Sequence, residues 1–167
     1  MDYLSELGGL ALGSRLKRLS ERIAQDVAKI YDQQGISFEP RWFPVFRLLT
    51  TTNEVSIMDI ASAIGVTHPA VNQVANELLA ADLIVQVTDA NDKRRRLLSL
   101  SKKGKKLHNE LEPTWRIIRV SVNEVIEESG GDLLRAIRAM EKTLDNRDLP
   151  ARFAHNEGLL KKCSVEI

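Results

Sequence analysis

Between Ser56 and Ala81 the chain carries two short helical patterns joined by a turn of two residues, and no other segment restricts the fold as much. Ser56 and Asp59 stand as Ser-x-x-acid, resembling the capping box in which two side chains satisfy the free amides of a helix start. Ile57, Ile60, Ala61 and Ile64 follow at i, i+3, i+4 and i+7, one face of a helix, and Gly65 closes it. After Val66, Thr67 is placed to cap a second helix, with Pro69 tolerated in its first turn. Val71, Val74, Ala75, Leu78 and Leu79 form the apolar stripe of that helix, and small Ala61 lets the two helices approach closely. Two short helices around a tight glycine turn make a helix-turn-helix pattern.

The next segment adds a hairpin. Leu83, Val85 and Val87 alternate with Ile84, Gln86 and Thr88, as a strand would. A polar tip from Asp89 to Lys93 leads to a return strand over Arg96–Ser101, in which Leu98 and Leu100 tie the hairpin to a core. From Asp89 to Lys106 the chain holds eight Lys or Arg residues and two acids, although its formal net charge is only +1. Charge concentrated at a hairpin tip suits contact with a polyanion. A helix-turn-helix followed by such a hairpin is a winged helix.

Helices flank this unit. Leu12, Leu16, Leu19, Ile23, Val27 and Ile30 predict a long amphipathic helix from about residue 10 to residue 30, and Gly35 ends the region. Glu39-Pro40 opens an aromatic-rich helix with Trp42, Phe43, Phe46 and Leu49, stopped by the run from Thr50 to Asn53. Beyond Lys102, Leu107, Leu111, Trp115, Ile118, Val122 and Ile126 predict a helix of about six turns, kinked by Pro113. Ser129-Gly130-Gly131 breaks it, and Asp132 is placed to cap another helix with Leu133, Ile137, Met140 and Leu144. The weak periodicity after Arg147 predicts a loosely ordered tail. The expected organisation is therefore mainly α. An N-terminal dimerisation helix spans 1–35, a winged helix-turn-helix with a short β-hairpin wing 36–101, C-terminal dimerisation helices 102–147 and a tail 148–167.

On the second helix of the motif, Pro69, Gln73, Asn76 and Ala80 lie opposite the apolar stripe, with His68, Ala70 and Asn72 flanking the first turn. Asn and Gln pair bidentately with adenine in the major groove, and a small residue such as Ala70 packs on a thymine methyl. Thr67 and the first-turn N–H groups suit a phosphate. In the wing, Arg94 is the residue expected to enter an A·T-rich minor groove, where negative potential is concentrated. Asp92, two residues earlier, is expected to hold that guanidinium in place, while Lys93, Arg95 and Arg96 take phosphates or support the hairpin. Lys102, Lys103, Lys105 and Lys106 sit where a helix start disfavours cations, a cost an external anion would offset.

The winged helix within long terminal helices, with Asp92, Arg94, Leu98, Leu100, Ser101 and Gly104 in the wing and the turn after it, resembles the MarR family of bacterial transcription regulators. The likeness covers about residues 8 to 147. It implies a homodimer with interlocked terminal helices, two wings straddling double-stranded DNA, and release of the DNA by a small ligand. The segments LGSRLKRLSERI and FEPRWFPVF further resemble a MarR subgroup whose module is often fused to a GNAT acetyltransferase domain. This sequence ends about where that domain would begin, so no acyltransferase is expected. Two positions depart from the family pattern: Gln73 stands where an arginine is common, and Glu77 where a further basic residue is common. Where the family pocket is expected, Glu39, Arg41, Trp42 and Phe46 bring charge beside aromatics, with Arg15, His108 and Trp115 able to face them. An aromatic or carboxylate effector would suit that set, and Glu39 and Arg41 are placed to pair with each other.

Composition narrows the remaining classes. A single cysteine, Cys163, forms no internal disulfide and points to a reducing cytoplasm. The N-terminus lacks the pattern of a signal peptide, and no apolar run reaches the ~20 residues of a membrane span. His68, His108 and His155 are too scattered for a metal set. Without a nucleophile triad, a phosphate loop or paired carboxylates, neither catalysis nor a cofactor is expected. The sequence thus predicts a repressor on a pseudo-palindromic operator with half-sites ~10 bp apart. The alternative it leaves open, favoured by Gln73 and Glu77, is a winged-helix module that senses ligands or binds proteins without DNA.

Overall fold

The computed structural model describes residues 2–88 and 96–163, with side chains through residue 158 apart from that of Thr88. Its elements run α1 (Tyr3–Glu6), a 3-10 turn (Gly8–Ala11), α2 (Leu12–Gln33), a 3-10 turn (Pro40–Trp42) and α3 (Phe43–Thr51). Then come β1 (Val55–Ser56), α4 (Ile57–Ile64), α5 (His68–Ala80), β2 (Ile84–Thr88), β3 (Arg96–Leu100), α6 (Lys102–Glu128), α7 (Leu133–Asn146) and α8 (Leu149–Cys163). The chain forms two compact units, Met1–Arg116 and Ile117–Ile167, and the division falls within α6.

Local chemistry accounts for the helix-turn-helix. The Ser56 hydroxyl accepts from the Asp59 amide at 3.2 Å and bonds its carboxylate at 2.7 Å, closing the first turn of α4. Gly65 ends α4 at φ +69°, a left-handed conformation that any β-carbon would resist. Thr67 Oγ1 accepts from the Ala70 amide at 3.4 Å at the start of α5. Ile60 and Ala61 from α4 and Val71, Ala75 and Leu78 from α5 are buried, as the periodicity predicts.

The sheet has the order β1-β3-β2, antiparallel throughout. The two-residue β1, which the sequence did not announce, pairs Val55 with Leu98 and Ser56 with Leu97. That pairing makes β3 the central strand, and Leu98 is fully buried in it. The expected alternation in β2 shifts by one residue. Leu83 and Ile84 are both buried, whereas Val85 is 42% exposed. Asp82 turns the chain at φ +58° just before β2, so Leu83 tucks under α5 and Ile84, opposite Leu100, faces the core.

An aromatic cluster fills the rest of the first unit's core. Phe38 meets Tyr31, Trp42, Phe46 and Trp115 edge-on at 5.2 to 6.1 Å between centroids, the arrangement ring quadrupoles favour. Trp115 Nε1 donates to the Tyr31 hydroxyl at 3.0 Å, so the buried indole has its partner. Behind it, Arg47 lies 5.5 Å from the Trp115 ring and pairs with Glu112 at 2.9 Å.

In the second unit two expectations are corrected. Asp132 does not cap α7 with its side chain; its carboxylate pairs instead with Arg135 at 2.7 Å. Leu149–Cys163, expected within a loose tail, form helix α8. Asp148 Oδ1 accepts from the Ala151 amide at 2.9 Å, and Pro150 sits in the first turn, a start signal that weak periodicity had hidden. Arg152 then donates to the carbonyls of Arg147 and Thr143, joining α7 to α8.

Candidate nucleic-acid interface

Helix α5 buries one stripe and exposes the other. His68, Pro69, Ala70, Asn72, Gln73, Asn76 and Ala80 are all exposed. The side chains of Asn72, Gln73 and Asn76 make no hydrogen bond to the described residues, so their donors and acceptors are available to base edges. The Thr67 hydroxyl already accepts from the Ala70 amide, which leaves its proton for an anion.

Asp92, Lys93, Arg94 and Arg95 lie outside the described residues. Arg96 lies within them and braces the hairpin. With the Gln86 amide turned so that its oxygen faces the guanidinium, Arg96 Nε and Nη1 donate to it at 3.3 and 3.1 Å across β2 and β3.

The exit of α5, the base of the hairpin and the start of α6 converge on one knot. Ser101 Oγ donates to the Asp82 carbonyl at 2.6 Å and accepts from the Gly104 amide at 2.9 Å, capping α6. Lys103 Nζ donates to the carbonyl of Ala81, the last residue before the chain leaves α5, at 2.7 Å. The sequence treats Lys103 as a candidate for an external anion, but its ammonium is used at a helix C-terminus, where a cation is favourable. Lys106 likewise lies 3.8 Å from Glu110. No local signal marks Lys103, because its partner is 22 residues away.

The residues expected to meet an effector have different surroundings among the described residues. Phe46 is fully buried and Trp115 nearly so, both inside the aromatic cluster. Arg15 and Glu39 are exposed and pair with nothing among the described residues. Arg41 pairs with Glu77 at 3.2 Å and not with Glu39. Trp42 Nε1 donates to the same Glu77 carboxylate at 2.7 Å. His108 lies 5.8 Å from Trp115, ring centre to ring centre, and helps line a cleft of about 430 Å³ with Thr50, Asn53, Glu54, Ser99, Lys105 and Asn109. Among the described residues no group of His, Cys, Asp or Glu is arranged to hold a metal, and no helix is long and apolar enough to cross a membrane. The Cys163 side chain lies outside the described residues.

A capped two-helix unit, a three-stranded antiparallel sheet and long flanking helices define a winged helix-turn-helix protein. Residues 35–95 match the family model described as the MarR family. The HTH-type transcriptional regulator FarR of Neisseria gonorrhoeae is 28% identical over 140 residues, covering 84% of this chain and 86% of FarR. A mutant MarR from Escherichia coli, solved with operator DNA, superposes with a TM-score of 0.66 at 12% identity, over 86% of this chain and 99% of that one. Bordetella bronchiseptica BpsR, whose structure addresses regulation of DNA binding by 6-hydroxynicotinic acid, gives 0.60 at 23% identity, over 80% and 93%. Residues 35–95 thus match the MarR family, and the likeness to FarR extends over 84% of the chain.

Proposed function

We propose that this chain is a transcription regulator, not an enzyme. It binds a pseudo-palindromic operator as a homodimer, represses from it, and is released by a small-molecule effector. The observation that carries the reading is the outer face of α5, where Asn72, Gln73 and Asn76 are exposed without partners among the described residues. Asn72, Gln73 and Asn76 read base edges, Ala70 packs on a thymine methyl, and His68 and Pro69 border the groove. Thr67 with the first-turn N–H groups holds a phosphate. Arg94 enters the minor groove, Asp92 steadies it, and Lys93 and Arg95 take phosphates.

Exposed apolar side chains support the homodimer. Leu12, Leu16, Leu19 and Ile23 on α2 are between 37% and 44% exposed. In the second unit, Ile117, Val120, Leu134, Met140 and Phe153 are each between 41% and 68% exposed. Stripes this regular call for a covering partner, and a second copy supplies one. The effector is an aromatic or carboxylate molecule, the class that acts on BpsR. Arg41, Trp42 and Glu39 form its rim, with Arg15 and His108 as outlying contacts. A regulator that reads a bacterial chromosome works in the cytoplasm.

Gel shifts over genomic fragments at rising salt test the reading. Retention of a few fragments, with a steep loss of affinity as salt rises, is expected. Equal binding to every fragment, or none, ends it. Sedimentation that gives a monomer at micromolar concentration removes the dimer.

A further inference from the structure

Glu77 stands one turn after Gln73 on α5, about 40° round the helix from it, and is half-buried at the edge of the exposed face. Its Oε2 accepts from Trp42 Nε1 at 2.7 Å and lies 3.2 Å from Arg41 Nε. Both donors come from the single turn Pro40–Trp42 that precedes α3. The Trp42 ring packs on Phe38 at 5.6 Å, and Phe38 touches the rest of the aromatic cluster. One carboxylate therefore ties α5 to the core at a point 35 residues distant in sequence.

Apart from the Lys103 bond at its C-terminus, the rest of α5's attachment among the described residues is apolar. Val71, Ala75 and Leu78 are buried, and apolar burial has no preferred direction, so a stripe with a small residue at its middle tolerates a slight roll of the helix. A charge-assisted bond depends on distance and angle and does not tolerate it. The Glu77 side chain is only 25% exposed, so water does not readily replace its partners. Resting on the reading of α5 as the helix that meets DNA, we infer that Glu77 is the positioning residue of that helix. It sets the roll of α5 about its own axis, and with it the aim of Gln73 and Asn76, without touching DNA.

Full-length protein first selects its preferred duplex from a random pool. Affinity for that duplex and for a scrambled one is then compared across variants. Glu77→Gln keeps an oxygen for the indole and loses the charge, while Trp42→Phe keeps an aromatic ring and loses the donor. Each is expected to weaken binding to the selected duplex about tenfold, the scale of one charge-assisted bond, and to leave the scrambled duplex unchanged. Arg41→Leu, at a side chain 58% exposed and thus least able to disturb folding, lowers the same ratio by about threefold. Glu77→Lys adds a cation, which on charge alone tightens binding to both duplexes. Positioning predicts weaker binding to the selected one.

Wild-type discrimination in Glu77→Gln and Arg41→Leu, or tighter selective binding in Glu77→Lys, overturns the assignment. Equal loss on both duplexes overturns it too, since that is what general unfolding does. A wild-type protein that selects no duplex overturns the reading of α5 itself, which keeps the two failures apart.

Discussion

The carbonyl oxygen of Leu83 lies 2.0 Å from the position a β-carbon on Gly104 would occupy, with the Leu83 carbonyl carbon 3.0 Å away. The backbone entering β2 thus rests directly on the first turn of α6. Ser101 holds the approach, its amide donating to the same Leu83 oxygen at 3.0 Å. Gly104→Ala must push these backbones apart and is expected to cost about 1–3 kcal/mol, the range for overpacking. Gly158→Ala, with nothing within 4 Å of the added carbon, should instead gain up to about 1 kcal/mol in helix α8. Thermal denaturation of the two variants side by side checks both signs, and equal melting points would contradict the close approach.

Base readout and charge separate by salt dependence. Gln73→Ala and Asn76→Ala should each cost about 1–3 kcal/mol on the selected operator while leaving the salt slope unchanged. Arg94→Ala should cost a similar amount, about 1–3 kcal/mol, and should also shallow the slope. Asp92→Ala is expected to weaken binding although it removes a negative charge; tighter binding would refute its positioning of Arg94. Fluorescence anisotropy at several salt concentrations distinguishes these outcomes.

Alkaline stability reports on the aromatic core. Burial raises the Tyr31 pKa, opposed in part by the bond from Trp115. The unfolded phenol ionises near pH ~10 and the folded one higher, so its contribution is complete below that pH and is lost as pH climbs through the folded value. Tyr31→Phe should be less stable at neutral pH by about 1 kcal/mol, because the Trp115 N–H loses its acceptor. It should also lose less stability between neutral and strongly alkaline pH. Denaturant titrations at the two pH values test this, and parallel losses in both proteins would contradict it.

Near the N-terminus, both Arg18 Nη atoms bond the Asp2 carboxylate, at 3.1 and 2.5 Å. That fork holds the Asp2 carboxyl down at about 2 instead of 3.8. A depressed carboxyl stabilises above its unfolded pKa, and the effect is lost as pH falls from about 4 toward 2. The Asp2 carboxyl resonance should titrate in that window in wild type and return to the ordinary range in Arg18→Gln. No movement of the midpoint would mean the pair is absent in solution.

The helix-turn-helix was legible because its signals are local: caps at Ser56 and Thr67, a left-handed Gly65 and stripes at helical spacing all lie within one or two turns of what they control. Strand β1 was not, since two residues carry no period and Val55 is a strand only by pairing with Leu98. The phase of β2 depended on the turn at Asp82, which composition does not specify. Helix α8 announced its start through Asp148 and Pro150 but offered no stripe to extend. Least legible were the long-range polar ties. Glu77 stood out in sequence only as an unexpected acid, and its partners Arg41 and Trp42 emerge only when α5 folds against the turn before α3. Lys103 looked like a surface cation for the same reason.

The knot of Ser101, Asp82, Gly104 and Lys103 has a consequence for how such a protein diversifies. It clamps the two ends of the hairpin from below, through bonds that involve no residue between 88 and 96. Variation at Ser101, Gly104 or Lys103 therefore acts on the fold itself. The base of the hairpin is a fixed handle, and a change there disturbs the exit of α5 and the start of α6 together.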